Sequence, residues 1–383
     1  MLIEHKCYSC FACVNACPRN CISMVKNDCG ELRPQINIVS CIQCNQCQQV
    51  CPALHHVSRN IPHNILAVTR KVPRDERFAS AGVAYAIAEK VIETGGVVYA
   101  TIMQKDTAYM DRITDMDSLK RTCGSKYVLS NIGGMLQSIK RDLQSDRLVA
   151  IFALPCQLAG VLRYLKKDYA KLLLVDLFCH GTTSQDCFKN GLQLDVRRSA
   201  KQITFRDGKQ YVMKILDEHG EATRVHYRVS YWFQGFLEGY LLRECCFECS
   251  FSNLERVGDI SLGDFWGLGE DIPTSLNVSQ GANAVLLNSE KGIKAWSFVM
   301  NQFHIEEHNA ESVKRHNSAV NGGVVRPRQY DRFLAIYRRQ GGKSAILHAY
   351  PKKTWSIRIR KAIRFNKLLY KLLTKIPMLK SKL

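Results

Sequence analysis

CIQCNQCQQVCP, residues 41–52, repeats the spacing of CYSCFACVNACP at residues 7–18. Cys7, Cys10, Cys13 and Cys17 recur as Cys41, Cys44, Cys47 and Cys51, every pair 34 positions apart. Each run reads C-x2-C-x2-C-x3-C-P. Three cysteines separated by two residues wrap one loop around one side of an iron–sulfur cluster. The fourth, followed by proline, ligates the other cluster of a two-cluster pair. The spacing therefore assigns one 4Fe–4S cluster to Cys7, Cys10, Cys13 and Cys51, and a second to Cys41, Cys44, Cys47 and Cys17. Zinc is the competing reading, but four-thiolate zinc sites usually draw on two separate C-x2-C pairs. A triple-plus-one pattern that occurs twice fits iron–sulfur better. Cys21 and Cys29 fall outside the pattern and read as small core residues.

This opening resembles the two-cluster bacterial ferredoxin module over residues 1–60. Behind it the chain runs to 383 residues with ordinary globular composition, 46% apolar and 23% charged, but with seventeen cysteines. Residues 1–6 (MLIEHK) run straight into the first cysteine and fit no secretory leader, so the expectation is a cytoplasmic protein with reduced, metal-binding thiols. No stretch of 18 or more apolar residues suggests a spanning helix. The net charge of +20 is uneven, because Pro351–Leu383 holds eleven Lys or Arg and no acid. WSIRIRKAIRFNKLLYKLLTKIPMLKSKL suits peripheral contact with an anionic membrane, at the inner face, through a basic amphipathic helix. A solubilising or partly disordered tail fits it too. Nucleic acid is not an expected partner, since no nucleic-acid fold signature accompanies the charge.

After a polar, Pro-containing link, helices and strands alternate. AGVAYAIAEKVIETGG (81–96) has helical spacing and a Gly-Gly stop, and VVYATI (97–102) reads as a buried strand. NIGGMLQSIKRDLQ, RLVAIFA, PCQLAGVLRYLKK and KLLLVDLFC continue as helix, strand, helix, strand. This pattern implies an α/β domain with a mixed, largely parallel sheet. QITFRDGKQYVMKIL reads as a hairpin with an Asp-Gly turn, and RVHYRVSYWF adds β-prone residues to this small β insertion. G-x-G-x-x-G is absent, and GGKS (341–344) lacks the upstream glycine of a P-loop because Tyr337 stands there. Cys156 in FALPCQLAG and Cys179 in VDLFCHG each follow a strand, at the sheet edge where ligands bind. Cys246 and Cys249 form a C-x2-C pair. Spacing alone leaves open a shared four-thiolate site, a zinc site, or buried small hydrophobes.

FASAGVAYAIAEKVIETGGVVYA, GSKYVLS, FALPCQLAG, VDLFCHG and CCFECSFSNLERVGDISLGDFWGLGE, in this order, resemble the coenzyme F420 hydrogenase/dehydrogenase beta-subunit family over about residues 1–320. The resemblance implies an iron–sulfur flavoprotein with FAD and a third 4Fe–4S cluster in the body, on Cys156, Cys179, Cys246 and Cys249, with Cys245 an extra neighbour. It points FAD to Ser80 and Gly82, to Ser125, Lys126 and Ser130, and to Asp264 and Trp266. Relatives carry two glycines where this chain has Ala81 then Gly82, which puts a backbone–phosphate contact at 81 in doubt. His180 is a candidate proton donor, with a structural histidine bonded to backbone as the alternative.

The expected organisation is a ferredoxin domain at 1–60, a linker at 61–76, an FAD/iron–sulfur oxidoreductase domain at 77–320 and a basic helical tail at 321–383. The expected function is electron passage from a ferredoxin-like donor through the clusters to FAD. A small organic acceptor would follow, F420-like or a polysaccharide-pathway substrate. The alternative is a non-catalytic relay that hands electrons to a protein partner.

Overall fold

Short elements in the first sixty residues repeat as the cysteines do. The computed structural model describes residues 6–73, 75, 77–207 and 210–365. Helices α1 (Ala12–Ala16) and α2 (Gln46–Gln49) start 34 positions apart. Backbone with positive φ at Ser9 and Phe11 returns at Gln43 and Asn45, between 52° and 59°. Such left-handed residues turn amide groups inward, and the Ser9 and Gln43 N–H groups donate to Cys7 and Cys41 sulfur at 3.3 and 3.4 Å. Between the two runs, β1 (Ile22–Lys26) pairs antiparallel with β2 (Leu32–Ile36).

The body begins with β3 (Asn64–Arg70), α3 (Val83–Glu93), β4 (Val97–Gln104), β5 (Thr107–Ile113), α4 (Met116–Lys120) and α5 (Met135–Gln144). It continues through β6 (Val149–Ala153), α6 (Pro155–Leu165), β7 (Leu172–Leu177) and α7 (Gln185–Asp195). A separate three-stranded antiparallel sheet follows, β8 (Gln202–Thr204), β9 (Val212–Leu216) and β10 (Ala222–His226), ahead of α8 (Tyr231–Leu237). The chain returns through β11 (Ile260–Asp264), β12 (Asn283–Leu287), α9 (Glu290–Ser297), β13 (Phe303–Glu307) and α10 (Ala310–Lys314), and then reaches α11 (Tyr330–His348) and α12 (Pro351–Phe365).

The main sheet has eight strands in the order β13-β3-β12-β11-β7-β6-β4-β5. Its centre, β4, β6, β7 and β11, is parallel. The four remaining pairings are antiparallel, so the sheet is mixed with a parallel centre rather than largely parallel. Every residue of β6 is buried, as expected of a strand covered on both faces. Alternate residues serve opposite layers. Val98, Ala100, Phe152 and Val175 pack toward α3 and α9, while Tyr99, Ile151, Ala153 and Leu174 pack toward α5, α6 and the N-terminal module.

Three expectations change. The linker at 61–76 contains β3, which pairs with β12 and β13; a polar start and a following proline hid a strand whose partners lie more than 200 residues away. RVHYRVSYWF leaves the β insertion after His226, because Ser230 caps α8 by accepting from Phe233 N at 2.8 Å. The C-terminal segment is not an appendage up to α12. Tyr330, Phe333, Tyr337, Ile346 and Ile357 belong to the same core as Phe205 and Trp232. The tail expectation beyond residue 365 lies outside the described residues.

Candidate functional site

The segment after β6 starts α6 with Pro155 at its first turn, where its missing N–H costs nothing. Gln157 accepts from Leu154 N at 3.3 Å and donates to Ser130 O at 3.1 Å and Ser130 Oγ at 3.3 Å. The Gln of this motif therefore ties the 125–130 loop to the strand end and leaves Cys156 beside it. Cys179 follows β7. Asp176, fully buried on β7, pairs with Arg256, 1% exposed, at 2.7 Å. Arg256 also donates to Phe251 O, Asn253 O, Leu177 O and Ser261 Oγ, and Asp176 accepts Gly258 N at 2.9 Å. This network carries the segment with Cys245, Cys246 and Cys249 to the end of β7.

Cys156, Cys179, Cys249 and Cys245 lie within one another's electrostatic reach, and Tyr8 of the N-terminal module senses Cys156, Cys249 and Cys245. Burial raises Cys156 strongly and pushes Cys179 up to about 12. A positive centre beside them would favour the thiolate forms. Cys245, expected as a bystander, is buried and faces this group. Cys246 lies beside Gly181 and Thr182, its sulfur 4.0 Å from Thr182 Oγ1, and its thiol also bonds to Cys245.

In the N-terminal module, Cys10 neighbours Cys7, Cys13 and Cys51, and Cys13 also senses Cys47. Cys17 is 3.3 Å from Cys21, sulfur to sulfur, and Cys21 bonds to Cys41 as well. Cys21, read as core, thus sits among the outer thiols. Among the described residues no three His, Cys, Asp or Glu side chains converge to hold a single metal ion; thiolates around a four-iron cluster stand further apart than that. The inner set presses on the body. A Cβ at Gly160 would lie 2.6 Å from Cys10 Cβ and 2.7 Å from its sulfur. Arg243, buried, donates to Cys7 O at 2.7 Å, Ser9 Oγ at 2.9 Å and Tyr8 O at 3.3 Å. The outer set faces solvent: Cys44 is exposed, with Ile38, Val39 and Ile42 exposed around it.

Beyond Cys179 opens a cavity of about 550 Å³, within the usual range for cofactor sites. Ser80, Gly82, Ser125, Lys126, Ser130, His180, Asp264 and Trp266 all line it. Ser80 Oγ is buried there with no hydrogen-bond partner. Gly82 caps α3 at φ 78°, where an added Cβ would meet the Phe78 ring at 2.5 Å; Ala81 packs into the core instead. Lys126 places all three ammonium protons on Thr122 O, Cys123 O and Gly124 O at 2.6 to 3.0 Å. It shapes that loop and brings positive charge without a spare donor. Burial lowers its pKa to about 8. His180 Nε2 lies 3.3 Å from Phe236 O, and burial lowers the ring below the usual histidine range.

Sequence reading named Asp264 and Trp266 but missed what surrounds them on the far wall. Arg206 bonds to Tyr127 OH and Asp264, each at 3.2 Å, and lies over Tyr211 and Trp266. Tyr211 and Trp266 stack at 27°. The only trace was in TFRDGKQY, where the hairpin signal masked Tyr211, which lines the cavity, and Arg206, which packs over its ring.

Residues 146–313 match the family model for the carboxy-terminal part of the coenzyme F420 hydrogenase/dehydrogenase beta subunit. Residues 6–54 match the 4Fe-4S dicluster domain model. Among solved structures the chain is similar to one from the F420-reducing [NiFe] hydrogenase complex of Methanosarcina barkeri, at 14% identity and a TM-score of 0.45, over 81% of this chain and 94% of that one. No curated protein matches the chain in sequence.

Proposed function

We infer, for a chain that belongs to the coenzyme F420 hydrogenase/dehydrogenase beta-subunit family and carries a 4Fe–4S dicluster domain, an iron–sulfur flavoprotein oxidoreductase that works between a protein surface and a ligand cavity. The observation that carries this reading is the succession of three thiol groups. The outer set is Cys41, Cys44, Cys47 and Cys17; the inner set is Cys7, Cys10, Cys13 and Cys51. Cys156, Cys179 and Cys249 with Cys245 make the third, and Cys179 lines the cavity. The three sets abut, through Cys13 beside Cys47 and Tyr8 beside Cys156. Bound clusters supply one-electron steps and a bound flavin joins them into two-electron chemistry. The exposed Ile38, Val39 and Ile42 beside Cys44 suit brief docking of a redox partner, in keeping with the small interfaces of such encounters.

FAD fits the cavity on its volume, the unpartnered Ser80 Oγ and the Gly82 turn. His180, neutral and tied to Phe236 O, orients the wall near Cys179 and holds its proton on one ring nitrogen. Tyr211 and Trp266 line the cavity with Arg206 packed over their rings, an aromatic wall backed by a cation for a small organic acceptor. A relay that serves only a protein partner gains no specific observation, since this wall would then have no task.

Anaerobic isolation with iron, sulfide and flavin quantification tests the reading. About twelve irons per chain, three four-iron clusters, with one FAD are expected. Cys245→Ser should lower the count to about eight, while Cys246→Ser keeps about twelve. About eight irons without flavin in the unaltered protein would remove the body cluster and the flavin reading together.

The pH dependence follows from Lys126. Its folded-state pKa of about 8 lies below the ordinary 10.5, so the charge is lost as pH rises through about 8. Flavin affinity should fall about three- to tenfold between pH 7 and 9, as expected for loss of one nearby charge in a partly screened site. Fluorescence titration should show this step in the unaltered protein and not in Lys126→Met. Identical pH profiles would separate Lys126 from ligand binding.

A further inference from the structure

We propose that the outer face of α12 is a docking surface for an anionic lipid bilayer. The helix lies on the body by one face only. Thr354 and Ile357 are buried, Lys361 pairs with Asp195 at 3.2 Å, and Arg360 donates to Arg228 O at 2.9 Å. Lys353 reaches Glu238 at 2.6 Å. The opposite face is bare. Trp355 is 66% exposed and Ile359 38% exposed, and Ala362 is exposed with them. At about 100° per residue these three share one narrow stripe, some 140° from the buried face.

Exposed Lys352 and Arg358 flank the stripe on its two sides. No acidic residue occurs anywhere in Pro351–Leu383, and residues 366–383 add five lysines. A tryptophan and an isoleucine presented on a rigid helix between basic side chains match the headgroup region of an anionic bilayer: the apolar stripe enters the acyl boundary while the cations meet lipid phosphates. An acidic soluble protein would meet the cations equally well but has no need of an exposed tryptophan flanked only by them. No helix among the described residues is long and apolar enough to cross a membrane, so the contact is peripheral. Docking through α12 is independent of how the cavity is used.

The test is co-sedimentation of the full-length protein with vesicles of phosphatidylcholine alone and of phosphatidylcholine mixed with phosphatidylglycerol. The unaltered chain should sediment with the mixed vesicles, stay in solution with the neutral ones, and be released by high salt. Trp355→Glu with Ile359→Glu should weaken binding about tenfold or more, while iron content and melting temperature stay unchanged because both side chains point to solvent. Trp355 fluorescence should shift to the blue on binding, read against Trp355→Phe. Failure to sediment with either vesicle overturns the proposal. So does equal binding by the double variant, which would leave only general attraction of a basic chain, the same attraction that RNA in place of vesicles would then reproduce.

Discussion

Replacing Arg256 by alanine should cost about 3–5 kcal/mol, the usual consequence of leaving one member of a buried ion pair alone. The guanidinium places its N–H groups on Asp176 Oδ1, Ser261 Oγ and three carbonyls, at 2.7 to 3.3 Å. Asp176, fully buried, would keep Gly258 N but lose its counter-charge. The effect reaches the thiols, because the same network joins the segment bearing Cys249 to β7 and Cys179. Anaerobic urea unfolding should show the stability loss, and iron analysis should show about four irons fewer per chain. Arg256→Lys should fall between, since an ammonium keeps the charge but cannot reach all these acceptors. A loss under about 1 kcal/mol for Arg256→Ala, the level of an exposed pair, would refute the buried-network account.

Gly160→Leu should disturb the other junction. Even a Cβ would stand 2.6 Å from Cys10 Cβ and 2.7 Å from its sulfur, and both α6 and the cysteine loop are backbone held in place. Overpacking of this kind costs about 1–3 kcal/mol. The looser partner should yield, and that is the Cys7–Cys13 loop, which is held to the body by Arg243 and by contact with α6. About four irons should be lost, from the inner set, while the outer set keeps its own. Gly160→Ala should show the same effect in smaller measure. Full iron and unchanged unfolding in Gly160→Leu would mean the module does not bear on α6 as described.

Much of this protein is legible in its amino-acid order alone, and the reason is locality. The 34-residue repeat needs only neighbouring residues to form each loop, so its helices and its positive-φ residues follow the cysteines. Strands such as VAIFA and LLLVDL announce a covered parallel centre by continuous apolar runs, and PCQ, CHG and CFEC carried the family resemblance that the match over residues 146–313 bears out. The seven residues to which the resemblance points FAD, and His180, all line one cavity.

What stayed hidden depends on distant partners. β3 looked like a linker because its pairing partners, β12 and β13, come at the other end of the chain. Arg206, Tyr211 and Trp266 meet only when the β insertion folds over the sheet edge. The resemblance sets Lys126 against FAD, whereas its ammonium sits on three carbonyls of its own loop. Cys245 and Cys246 are adjacent in a short turn with their thiols in contact, and no spacing rule tells which one faces Cys156. The sequence by itself determined where cysteines recur at dicluster spacing and where helices and strands alternate, because those depend on neighbours in the chain. Only the tertiary structure decided which thiols face each other, which cation is already engaged and which face of the last helix remains bare, because those depend on elements brought together from far apart.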